Sequence, residues 1–320
     1  MSAERPARPM VVAHRGASFE QPENTIQAFE AAIDAGADAV EFDVRMTADG
    51  HAVVMHDPDV SRTTDGTGLV SDMTLEEIRA LGVPTVEDAL RCLSGLAVAD
   101  IEIKNSPDEP GYTPDAQPAV EATLAALDEL AFSSQVIVSS FNPRSIAHSR
   151  TLRPDVPTGL LTWFDVDADE AIARATGQGH SWVLPFVTKV LEAGDGFGDR
   201  VHAGGALLGV WIADDPETAR RLFELGADAV ATNDPRAIVP SRDSARPRIW
   251  IDFAKQDRHG RLKLITVGAR EDIARLPVEI YDGMEIIGHD DMLNVDATVR
   301  YNSEENYWVA EFDRGAIRGT

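Results

Sequence analysis

Residues 39–57 read Ala-Val-Glu-Phe-Asp-Val-Arg-Met-Thr-Ala-Asp-Gly-His-Ala-Val-Val-Met-His-Asp. Val40, Phe42 and Val44 alternate with Glu41, Asp43 and Arg45, the period of two expected of a strand with one face buried. Side chains two apart share a face, so Glu41 and Asp43 point the same way. Neighbouring carboxylates repel unless a cation lies between them, and a hard divalent ion is the natural occupant. Asp49-Gly50 is a hairpin signal, after which the chain returns through Ala52, Val53 and Val54 to His56-Asp57. One hairpin thus brings a carboxylate pair and a histidine to one region. On these residues alone, a salt-bridged edge strand accounts for the pattern as well as a metal site does.

Working outward, 10–15 reads as a buried strand ending at His14-Arg15-Gly16. Asn24 or Thr25 can cap a helix that carries Ile26, Phe29 and Ile33 at helical spacing. Strand 97–103 delivers Glu102 and Lys104, again two apart and on one face. Further strands are predicted at 136–140, 158–162, 181–186, 207–213 and 229–232. Helices fit between most of them, most clearly at 116–130 and 216–225, where Asp215 caps and Pro216 takes the first turn. The words Gly-Ala-Asp-Ala-Val at 36–40 recur at 226–230, each leading into a strand. Eight strands alternating with helices predict an α/β fold, a (β/α)8 TIM-type barrel with its site at the C-terminal ends of the strands. His14, Glu41, Asp43, Glu102 and Lys104 all fall at or near such ends.

Two stretches depart from the simple alternation. Residues 58–84 are polar and rich in turns, with a capping box at Thr74–Glu77. They form a small insertion after the second strand, placed to act as a lid or substrate wall. Around 240–247 (Pro240, Ser241, Asp243, Ser244, Pro247) a linker is expected, dividing the chain into 1–245 and 246–320. The second part holds seven aromatics and short apolar runs joined by turns, which predicts a small antiparallel, β-rich module. It has no motif that converts into chemistry, and assembly (a homo-oligomer contact) or a protein partner is its expected use.

Formal net charge is −25, and it is unevenly placed. Residues 246–320 carry 11 Lys+Arg and 14 Asp+Glu, a net of −3; the remaining 18 and 40 give 1–245 a net of −22. Such a surface repels nucleic acid and anionic membranes. No apolar run reaches the length of a membrane span, and 1–10 has no signal-peptide core. The single cysteine, Cys92, excludes an internal disulfide framework and fits a reducing cytoplasm.

Taken in order, HRGA (14–17), PENT (22–25), EFDVR (41–45), DG (49–50), VVMHD (53–57), RTTDGTG (62–68) and IEIK (101–104) resemble the glycerophosphodiester phosphodiesterase family. The likeness is dense over 11–104, thinner to about 240 and absent beyond. It implies hydrolysis of sn-glycerol-3-phosphodiesters to glycerol 3-phosphate and an alcohol. Glu41, Asp43 and Glu102 would hold one divalent metal ion, and three oxygen ligands suit Ca2+ or Mg2+. Arg15 and Lys104 would bind the phosphate. His14 and His56 would be catalytic as general acid and base, with the glycerol 2-hydroxyl attacking to give a cyclic phosphate. The sequence leaves open which histidine is which. Trp211 matches the family's tryptophan on the seventh strand, a wall of the substrate pocket.

Simpler readings stand beside these. Glu102 and Lys104 form a plain ion pair, and Glu23 staples Arg15 to its loop. Thr232-Asn233-Asp234-Pro235 departs from the family's Thr-Asp-x-Pro, and Pro185-Phe186 stands where polar pocket residues are expected. Two alternatives to the main reading are a lysophospholipase D-like enzyme, which needs an apolar groove, and a silent barrel that only binds a phosphodiester. Retention of both histidines and all three carboxylates argues against the silent barrel.

Overall fold

The eight predicted barrel strands form one closed sheet. In the computed structural model, residues 5–6, 8–132, 134–276, 278–290 and 292–319 are described. The strands are β1 (Met10–His14), β2 (Ala39–Met46), β3 (Ala52–Val54), β4 (Val98–Ile103), β5 (Val136–Ser140), β6 (Thr158–Thr162), β7 (Trp182–Pro185), β8 (Leu207–Val210) and β9 (Ala229–Thr232). All but β3 run parallel, each beside its sequence neighbour, and β1 closes the ring by pairing with both β2 and β9. The short β3 lies antiparallel on β2, as the return arm of the Asp49-Gly50 hairpin.

Period two then sorts the side chains into layers. Val11, Ala13, Val40, Phe42 and Val44 face the helices, and Met10, Val12 and Ala39 face the barrel interior beside Trp182, Leu184 and Leu207. The helices cover the outer face, with the caps the sequence announces. Thr25 accepts from Ala28 N to start helix Ile26–Asp34, and Asp215 accepts from Thr218 N to start Pro216–Glu224. The insertion has its own small core (Val53, Met55, Val60, Val70, Ile78, Val83) under helix Leu75–Ala80, which carries the full Thr74/Glu77 capping box. Among the described residues no helix is long and apolar enough to cross a membrane.

Two local expectations are corrected, and one stretch that the sequence left unassigned is defined. The glycine-rich stretch before β8 folds as two short helices, Val187–Ala193 and Phe197–Ala203. The first part of the expected linker is helical: Pro235–Ser244 runs through Pro240, and only 245–247 are non-helical before β10. Tertiary packing overrides the cost of an internal proline there, because Ile238 and Arg242 are buried and Arg242 pairs with Asp38. The C-terminal sheet is also not purely antiparallel. Its order is β10 (Arg248–Trp250), β12 (Glu285–His289), β13 (Leu293–Asn302), β14 (Tyr307–Gly319), β11 (Leu262–Lys263), and β10 and β12 pair in parallel. A parallel pair needs a crossover connection, and helix Val267–Arg275 lies within it.

This sheet meets the barrel at the side where strands begin. Arg248 reaches Asp199 at 2.5 Å, Arg246 reaches Glu224 at 3.1 Å and Arg318 reaches Asp195 at 2.9 Å.

Candidate active site

Register puts the acidic residues together. His14 pairs with Glu41 across β1 and β2; Glu41 pairs with Asp100 and Asp43 with Glu102 across β2 and β4. Glu41, Asp43 and Glu102 are all buried, and each offers one oxygen within 4.8 Å of the others. After β1 the chain turns sharply, with Arg15 at φ +57° and Gly16 at φ +82°. Only glycine fits at 16, since a Cβ there would lie 2.7 Å from the backbone carbon of Ala28. The turn folds Arg15 back over the acids. Its N–H donates to Glu41 Oε2 (2.9 Å), Nη1 donates to Glu23 Oε1 (2.9 Å), and Nε stands 3.4 Å from Asp43 Oδ2. Asn24 donates to Asp43 Oδ2 at 2.8 Å, and Lys104 Nζ lies 2.6 Å from Glu102 Oε1 and 3.1 Å from Asp43 Oδ1. The Glu23 staple and the Glu102–Lys104 ion pair therefore both exist, as parts of one cluster.

The cup does not hold three carboxylate charges comfortably. Burial, then the neighbouring Asp43 and Glu102, push Glu41 well above the usual carboxylate range. Burial raises Glu102 to about 7 despite Lys104. Asp43 goes the other way: against its burial, Lys104, His56 and Arg15 hold it well below that range. Glu41 Oε1 is buried without a hydrogen-bond partner among the described residues. An all-oxygen donor set with an unused buried acceptor fits a hard divalent cation, which would favour the ionised form of all three.

Two imidazoles stand beside this cup. Asn233 fixes the first: its Nδ2 donates to Asp214 Oδ2 and its backbone N–H to Asp214 Oδ1, both at 2.7 Å. Its carbonyl oxygen must therefore face His14 Nδ1, 2.8 Å away. That nitrogen carries the proton, and His14 Nε2 keeps its lone pair, 4.0 Å from Glu41 Oε2. Burial, then Arg15, lower His14 to about 4, so it is neutral near pH 7. The second imidazole has a charged partner. His56 Nδ1 is 2.6 Å from Asp57 Oδ1, and Asp57 pairs with Arg62, which also holds Glu23 at 2.7 Å. Arg45 Nε donates to His56 O at 2.7 Å and fixes the backbone there. Burial also lowers His56, with Asp43 pulling the other way.

The other half of the barrel mouth is aromatic. Phe141, Trp163, Phe164, Phe186 and Trp211 stand just past the ends of β5, β6, β7 and β8. Phe141 and Trp163 stack at 4.1 Å, and Trp211 meets Phe141, Trp163 and Phe186 edge-on at 5.3, 5.7 and 5.0 Å. Trp211 Nε1 donates to Leu184 O at 3.0 Å. A cavity of about 310 Å3 joins both halves, from His14, His56 and Glu102 to Phe141, Trp163 and Trp211.

All eight residues singled out from sequence thus meet in one region, Trp211 across the cavity from the carboxylates. The departure at Pro185-Phe186 is an aromatic contact in the structure: Phe186 packs on Trp211. Sequence reading missed the partners. Asp100 lies two residues before Glu102 and lines the same cavity, where its register with Glu41 puts it. Asp57 is adjacent to a chosen histidine, and Asn24 reads from sequence only as a candidate helix cap. Asn233 was visible only as a departure from a motif. Other histidines serve elsewhere, such as His202 on Asp228 (2.7 Å) and His180 on Thr158 (2.9 Å).

Known proteins give the same answer as the motifs. The sequence profile of the Glycerophosphoryl diester phosphodiesterase family matches residues 14–237. A glycerophosphodiester phosphodiesterase of Caldanaerobacter subterraneus subsp. tengcongensis is 34% identical over 252 residues, 72% of this chain and 96% of that protein. One from Bacillus subtilis is 32% identical over 265 residues, 72% of this chain and 85% of that protein. Among solved structures, an Oleispira antarctica phosphodiesterase in complex with the product sn-glycerol-3-phosphate superposes with TM-score 0.64 at 24% identity, over 74% of this chain and 98% of that one. The Thermotoga maritima glycerophosphodiester phosphodiesterase does so with TM-score 0.61 at 24% identity, over 73% and 98%. These two speak for the fold, the profile and the curated relatives for descent, and the chain belongs to the glycerophosphoryl diester phosphodiesterase family.

Proposed function

We propose that this enzyme hydrolyses sn-glycerol-3-phosphodiesters to glycerol 3-phosphate and an alcohol, by metal-dependent catalysis with two histidines. The observation that carries this reading is one cavity lined by Glu41 and Glu102 of the buried carboxylate cup, two cations and two oriented imidazoles. Overall, the P–O bond to the alcohol breaks, water supplies the hydroxyl that ends on phosphorus, and its proton ends on the alcohol.

Ca2+ or Mg2+ held by Glu41, Asp43 and Glu102 supplies positive charge to the phosphate and a glycerol hydroxyl when bound. Lys104 and Arg15 face the same phosphate as a point charge and a planar fork, and they oppose the negative charge that grows in the transition state. Arg15 Nε has no hydrogen-bond acceptor among the described residues, which leaves it a donor for a phosphate oxygen. The two histidines divide the proton work by their partners. His14 is neutral, backed by an uncharged amide, with a free Nε2, and it takes the proton of the attacking hydroxyl. His56 is backed by the Asp57 carboxylate, which opposes the lowering by burial, and it gives a proton to the leaving oxygen. Residues 246–320 contribute none of these groups; their proposed role, as a module separate from 1–245, is bracing or assembly.

The test uses chelated protein. Release of glycerol 3-phosphate from a glycerophosphodiester should vanish and return with added Ca2+ or Mg2+. Calorimetric titration should show the cation binding to wild type and not to Asp43→Asn. His14→Ala and His56→Ala should each lose roughly 10²-fold or more in turnover while keeping their circular dichroism. Full activity in metal-free protein would sink the metal reading, and near wild-type activity of either variant would sink that histidine's role.

A further inference from the structure

The two halves of the barrel mouth differ in chemistry. Glu41, Asp100, Glu102, Lys104 and both imidazoles lie on the β1–β4 side of the cavity, and the rings of Phe141, Trp163 and Trp211 on the β5–β8 side. Glycerol hydroxyls are the part of the substrate that carboxylates and a carboxylate-held cation bind. Glycerol therefore lies over the first half, and the leaving alcohol over the second. Resting on the phosphodiesterase reading above, we propose that the leaving alcohol is a hydrocarbon group, alkyl or aryl, and not a cationic or polyhydroxy head group.

Three observations carry this. First, the rings make a wall and not a cage. To enclose an ammonium, ring faces must surround an open centre, each centroid within about 6 Å of the cation. Here the rings fill one another's space, with neighbouring centroids 4.1 to 6.2 Å apart from Phe141 through Trp163, Trp211 and Phe186 to Phe164. Second, a ring face that a cationic guest would need is already taken: Lys104 Nζ, paired with Glu102 and Asp43, lies 5.9 Å from the centre of the Phe141 ring. Third, the wall continues outward as apolar surface. Trp163 is 52% and Phe164 62% exposed at the rim, and below them the cavity deepens between Leu161, Leu184, Gly209 and Ala231. Adjacent exposed aromatics leading into an apolar recess fit a hydrocarbon partner.

The discriminating substrate pair is glycerophosphocholine and its uncharged isostere, the 3,3-dimethylbutyl ester, which share a shape and differ in charge. A series of glycerophospho-n-alkyl esters adds the length dependence. With metal-loaded full-length enzyme, kcat/KM for glycerol 3-phosphate release should favour the dimethylbutyl ester several-fold. It should rise about four-fold per added methylene over the first few carbons, the worth of a buried CH2. Trp163→Ala and Phe164→Ala should each flatten that slope; both side chains are more than half exposed, so the fold tolerates their loss. Preference for the choline ester would overturn the proposal in favour of cation recognition. So would a flat length series, or a length dependence found only with acyl chains placed on the glycerol side. If no diester at all is turned over, the phosphodiesterase reading is what failed, and this inference falls with it.

Discussion

Asn233 sets the state of His14. Because its Nδ2 donates to Asp214 Oδ2, its oxygen accepts from Nδ1 and leaves Nε2 as the free base. Asn233→Leu should therefore cost roughly 10-fold in turnover with an unchanged melting profile, by loosening the imidazole. Unaltered turnover would show that His14 is held by other means. Away from the site, His180 is buried on Thr158, and burial, then Arg150, lower it to about 4. Its unfolded value is near 6.5, so the stability it contributes is complete above 6.5 and is lost as pH falls toward 4. The loss between pH 7 and 5 should be about 2 kcal/mol, and urea titrations should find it missing in His180→Gln. An equal acid loss in the variant would refute the assignment. Most site residues were legible because strand period and register act on sequence directly: Glu41 with Asp43, and Glu102 with Lys104. Asn233 was not legible as a His14 partner, since that contact joins residues 219 positions apart and depends on closure of the ring.

At the scale of elements, the turn after β1 and the hairpin after β2 position the catalytic groups. The turn depends on Gly16, which has both a left-handed backbone and Ala28 pressed against the space of a Cβ. Gly16→Ala should destabilise by ~2 kcal/mol or more and reduce turnover further by displacing Arg15. A urea midpoint equal to wild type would show that the turn yields easily. Strands, caps and the insertion were readable from period and from Thr, Asp and Pro at helix starts. The aromatic wall was not, because each ring belongs to a different strand end and only the barrel brings them into contact. Pro240 misled for a related reason. A proline reads as a break, yet the helix around it is held by Ile238 and the Arg242–Asp38 pair, neither of which local sequence reveals.

For the whole molecule, the charge asymmetry becomes an interface. The C-terminal sheet, net −3, turns arginines 246, 248 and 318 toward Glu224, Asp199 and Asp195 of a barrel whose net charge is −22. Arg248 and Asp199 are nearly buried there, so removing one partner leaves an uncompensated charge. Truncation after Ser244 should lower the melting temperature by several degrees while turnover of a small diester stays near wild type. A truncated protein that is folded and metal-loaded yet inactive would place part of the site in 246–320. The division of the mouth also bears on how such an enzyme changes over generations. Each proposed metal ligand, phosphate-binding cation and imidazole is encoded within 14–104, and each ring of the wall within 141–211. Recombination between β4 and β5 would hand down the reaction and the taste for its leaving group as separate inheritances. A chimera that borrowed 136–211 from a relative would be expected to keep the parent's chemistry and acquire the donor's choice of alcohol.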